Sequence, residues 1–95
     1  MKPLETNQEE SESLALSALV WVLQDEDRAQ RLLALTGLTA DDLRQRAGER
    51  GLLAAVLGFL EAHEPDLLAC ARAIETTPLA LVEARRRLDG GEIES

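Results

Sequence analysis

Apolar residues arrive along this chain in bursts, and each burst is bounded by residues that start or stop a helix. Two uncharged runs, Leu14–Leu23 and Gly51–Leu60, are apolar around most of a helical circumference. Only Ser17 is polar in the first, and only Gly58 breaks the aliphatic run of the second. No segment alternates with period two and β-branched residues are few, so the pattern predicts an all-α chain.

Punctuation divides the pattern into helices. Ser11, whose hydroxyl can reach a free amide one turn in, or Ser13 caps a first helix running to about Gln24. Asp25 caps a second, with Glu26 and Asp27 in the first turn where the helix dipole favours anions, and Gly37 ends it at a left-handed position. Thr39 with Asp42 three residues on forms a capping-box variant, opening a third helix to about Ala47. Gly48 and Gly51 bracket a turn before a fourth helix over Leu52–His63. Pro65 starts a fifth, to about Glu75, and Thr77-Pro78 repeats the device for a sixth that ends at Leu88.

The resulting expectation is a compact orthogonal bundle of five to six short helices with a central apolar N-terminal helix. Its expected core is Leu16, Leu19, Val20, Leu23, Leu32, Leu35, Leu43, Leu53, Val56, Leu57, Leu60, Leu67, Ile74, Leu81 and Val82. Residues 11–89 form the domain, and residues 1–10 and 90–95 are expected to be disordered acidic tails. Three surface pairs at i,i+4 mark solvated faces: Asp27–Arg31, Asp42–Arg46 and Glu83–Arg87.

Charge changes the picture only at the ends. The chain of 95 residues has a net charge of −8, but the first 13 residues hold four acids against Lys2, and the last eight hold three acids and no base. That placement favours solubility rather than a binding face. The single Cys70 excludes an internal disulfide and fits a reducing, cytoplasmic setting, and the start of the chain lacks a secretory pattern. The longest uncharged run, Ser13–Gln24, is shorter than the roughly 20 residues of a membrane span.

Leu14-Ala15-Leu16-Ser17-Ala18-Leu19, then Trp21, Leu23 and Asp25-Glu26-Asp27-Arg28-Ala29, continue into Leu32-Leu33-Ala34-Leu35-Thr36-Gly37-Leu38 and Asp42-Leu43-Arg44. These phrases resemble a family of small uncharacterised alphaproteobacterial proteins, classed as a domain of unknown function. The resemblance covers most of residues 13–88. It implies a compact helical bacterial protein and carries over no catalytic residue, ligand or partner.

Chemistry is sparse: one His, one Cys, one Lys and no Tyr. Glu61, His63, Glu64 and Asp66 gather at a helix junction, where imidazole and carboxylates suit a metal or proton transfer. They fall on different sides of a helix end, and a solvated junction with His63 facing the dipole accounts for them as well. Cys70 lies among small apolar residues and lacks an adjacent base, so burial outweighs a Cys–His dyad. Asp25-Glu26-Asp27 lacks the alternating ligands and central glycine of a calcium loop, and glycines 37, 48, 51 and 58 form no phosphate-binding motif. No catalytic residue, cofactor or metal ligand is assigned.

Two spans could be helix-turn-helix units, Leu32–Arg46 and Leu67–Leu88. Their second helices open with Thr39-Ala40-Asp41-Asp42 and Thr77-Pro78-Leu79-Ala80, which repel phosphate or offer it little, while Arg85-Arg86-Arg87 is at the far end of its helix. Nucleic acid is therefore not the expected partner, and neither is a membrane. What remains is apolar surplus. A helix apolar all round must be surrounded, and so small a domain can surround one such helix more easily than two. Trp21, Ala54, Gly58 and Phe59 are the candidate interface, Ala54 and Gly58 because a second helix can approach small residues closely. The expected function is a non-catalytic protein-interaction module, with an unknown protein partner or weak self-association.

Overall fold

The structure is a computed structural model that describes the backbone of residues 3–90 and the side chains of residues 9–90. Those residues form six helices and no strand: α1 Pro3–Leu23, α2 Glu26–Thr36, α3 Ala40–Arg46, α4 Arg50–Glu61, α5 Glu64–Ala73 and α6 Pro78–Gly90. Met1, Lys2 and the C-terminal part of the expected tail, residues 91–95, lie outside the described residues.

The helix ends follow local chemistry. Asp25 accepts from the Arg28 amide, and Gly37 ends α2 at φ 78° with its N–H on the Leu33 carbonyl. At α3 the capping box is complete: Thr39 Oγ1 accepts from the Asp42 amide while Asp42 Oδ2 accepts from the Thr39 amide. Thr77 Oγ1 accepts from the Ala80 amide at the start of α6. The end of α5 is a Schellman turn. The Thr76 amide returns to the Ala71 carbonyl at 2.8 Å, and Glu75 occupies the left-handed position at φ 60° where glycine is commoner.

Two boundaries correct the sequence reading. The first helix begins at Pro3, so Ser11 lies in its interior, 2% exposed, and caps nothing. The fourth helix ends at Glu61, so His63 is not at its C-terminus but is the residue preceding α5.

The core is centred on α1, α4 and α6. Both α1 and α4 pack against α2, α5 and α6 as well as against each other. α4 is the more enclosed, burying Leu52, Leu53, Ala54, Val56, Leu57, Phe59 and Leu60. α1 buries one face only: Ser11, Ala15, Ala18, Leu19 and Val22, at helical spacing. This corrects four expected core positions. Leu16 (39% exposed), Val20 (56%) and Leu23 (43%) point to solvent, and on α2 so does Leu35 (71%). The run offers two apolar faces, and the alanine-bearing one is turned inward. Small side chains there let the neighbouring helices come near, leaving the bulkier leucines outside.

Two outcomes follow. Leu57→Ala removes a fully buried side chain and should lower unfolding free energy by about 2–5 kcal/mol in urea titration, whereas Leu35→Ala should change it by less than about 0.5 kcal/mol. The Asp42 carboxyl is held below its ordinary value of 3.8, chiefly by the Thr39 amide, as Asp25 is by the Arg28 amide. A folded-state pKa below the unfolded one adds stability that is present above the unfolded value and drains away as pH falls through the folded one. Asp42→Asn should therefore be less stable than the wild type at pH 7, and the gap should close as pH falls through the folded-state value, as read by thermal melts across pH.

Candidate functional site

The junction residues do not come together as a catalytic or metal site. Asp66 Oδ2 is shared by Arg31 Nη1 of α2 at 2.9 Å and His63 Nδ1 at 3.1 Å, an arrangement that ties α2 to the start of α5. Glu61 turns to the other side and pairs with Arg85 of α6, which also pairs with Asp89 at 2.6 Å. Glu64 is exposed. Among the described residues no three His, Cys, Asp or Glu side chains are arranged to hold a metal ion. Cys70 is completely buried, and burial pushes its thiol up to about 11, with Asp66 adding to the shift and Arg28 opposing it. At neutral pH such a sulfur is a protonated core group, not a nucleophile.

The expected interface residues divide. Ala54 and Phe59 are buried, and the Arg31 guanidinium lies 5.7 Å from the Phe59 ring centroid. Gly58 is partly covered by α6: a Cβ there would meet Arg85 Cδ at 3.7 Å, an ordinary contact. The helix that approaches the small residues of α4 is thus α6 of the same chain. Trp21 is half-buried beneath Arg28, whose guanidinium stacks 3.6 Å above the ring centroid while Nη2 donates to the Trp21 carbonyl at 2.7 Å. One arginine of α2 thereby satisfies a terminal carbonyl of α1 and closes the corner between the two helices.

The surface that sequence reasoning missed is the outer side of α1. Leu16, Val20 and Leu23 are spaced i, i+4 and i+7, so they form one row along the helix. Beside this row runs a trough between α1 and the α5–α6 side of the domain. It consists of a cavity of about 480 Å³ against α6, with Ser11, Ser13 and Leu14 opposite Ala80, Glu83 and Arg87, and another of about 430 Å³ against the end of α5, where Val20, Trp21 and Gln24 face Ala73 and Ile74. Both are lined by Ser17, and Val20 belongs to the row as well as the trough. The Ser11 hydroxyl, buried at the first cavity, has no hydrogen-bond partner among the described residues. The missed signal was the register of the alanines: Ala15 and Ala18 share a face with Leu19 and Val22, and the Leu16–Val20–Leu23 row lies on a different side of the helix.

A family model described as protein of unknown function (DUF3572) matches residues 8–91, and the chain belongs to that family. No curated protein and no solved structure matches it.

Burial of Cys70 yields a direct expectation. At pH 8 a small thiol reagent should label the native protein many-fold more slowly than the same chain in denaturing urea. Equal rates would place the thiol at the surface and overturn this account of its environment.

Proposed function

We propose that this member of the DUF3572 family works by contact rather than by catalysis, as a small helical protein-interaction module that engages its partner along α1. The observation that carries the reading is the row of Leu16, Val20 and Leu23, three large aliphatic side chains partly exposed along one side of a helix. Single exposed leucines are ordinary, but three aligned on one helix whose Ser13–Gln24 stretch carries no charge are the kind of patch that interfaces use. The chemistry elsewhere supports the same reading. His63 is engaged with Asp66, Cys70 is sealed, and Arg85 of the arginine triplet is held by Glu61 and Asp89. α3 opens with Asp41 and Asp42, which are unsuited to a nucleic-acid backbone.

No helix among the described residues is long and apolar enough to cross a membrane. We place the protein in the bacterial cytoplasm, where a lone reduced thiol is at home.

Site-specific photo-cross-linking tests the reading. A benzophenone side chain at Val20 should capture a discrete protein adduct in the native host. The same probe at Gln45, exposed on α3, should not. Absence of an adduct at Val20, or the same products from both positions, would remove the basis for an α1 interface.

A further inference from the structure

We propose that the trough along α1 is a docking groove for an amphipathic helix that carries basic residues at both of its ends; the inference rests on the contact-module reading and names its class of partner. The face is uncharged from Ser13 to Gln24, a length of roughly 16 Å at the helical rise, or about three turns of an opposing helix. Val20 forms its outer edge, with Leu16 and Leu23 further round the helix, and Ser17 and Trp21 lie along the trough. Small residues beside a leucine row are what an apolar helix face fits.

The residues just before and just after the uncharged stretch of α1 are mostly acidic at both ends. Glu9, Glu10 and Glu12 precede the uncharged face, and Asp25, Glu26 and Asp27 follow it. Glu9, Glu10, Glu26 and Asp27 are exposed, and none of them is ion-paired among the described residues. Asp25 is engaged by Arg28, and at the first cavity Arg87 is a lone cation set against Glu10 and Glu83. Ser11 also lies at that end, its buried hydroxyl without a hydrogen-bond partner among the described residues.

This distribution selects against a second copy of the chain. Laid parallel, two α1 helices bring Glu9, Glu10 and Glu12 together. Laid antiparallel, they bring those acids against Asp25, Glu26 and Asp27. Either way acid faces acid between chains of net charge −8, whereas basic ends meet acids at both clusters.

Trp21 is the only tryptophan and lines the trough, so its emission reports occupancy. The probes are tryptophan-free synthetic peptides of about 14 residues. The first has a leucine face with lysines and arginines at both ends. The second keeps the face but ends in glutamates, and the third scrambles the first so that the face is broken. The basic peptide should shift Trp21 emission saturably, with affinity that falls as salt rises. The acidic and scrambled peptides should bind at least about tenfold more weakly. Val20→Asp should abolish binding with the helical circular dichroism unchanged, and Leu68→Asp, on the exposed side of α5, should leave it intact.

Equal binding of the basic and acidic peptides would overturn the inference and leave the α1 interface standing. If no peptide binds, while light scattering shows a wild-type dimer that Val20→Asp returns to monomer, the occupant is a second copy and the inference falls. If no peptide binds, the chain is monomeric and Val20 cross-links to nothing, the inference and the contact-module reading fall together.

Discussion

The arrangement depends on how closely α1, α4 and α6 can approach. Ala15 and Ala18 of α1, Ala54 of α4 and Ala84 of α6 all lie within one buried cluster, alongside Leu53, Leu57 and Leu81. Where small residues meet, helix axes come near and the large side chains of the enclosed helix fill the layers between. α4 takes that enclosed position. α1 contributes its alanine face to the same cluster, and the aliphatic side chains Leu16, Val20 and Leu23 on its other side are only partly covered by this chain. The exposed row and the tight core are two sides of one packing solution.

The polar groups are used mainly as ties between elements. Arg28 joins α2 to the end of α1, Arg31 joins α2 to α5 through Asp66, Arg85 joins α6 to α4 through Glu61, and Arg50 donates to the Arg87 carbonyl of α6. Sequence spacing suggested within-helix pairs for several arginines. Asp42–Arg46 is present at 3.6 Å, but Arg31 reaches across to Asp66 instead. Partly buried pairs of this kind fix orientation more than they add stability.

Legibility in the sequence tracked the range of the interaction responsible. Capping at Asp25, Thr39 and Gly37 was readable because a cap involves residues three or four apart. The apolar character of α1 and α4 was also readable, but the sequence pointed to the N-terminal helix as the central one, whereas α4 is the more enclosed. The inward face of α1 was not readable, since choosing between its alanine and leucine faces requires knowing how near α4 and α6 come. The same holds for Ala54 and Gly58: their size announced a close neighbour but could not say that the neighbour was α6. His63 was misplaced for a smaller reason, a helix that ends two residues earlier than its pattern suggested.

The corner held by Arg28 has a kinetic meaning. The guanidinium stacked on Trp21 and bonded to its carbonyl anchors the last turn of α1 to α2, so this end of the outer face is already in shape before anything meets it. A preformed surface loses little conformational entropy on encounter. Differences among molecules that touch it are then expressed in how long they stay rather than in how fast they arrive.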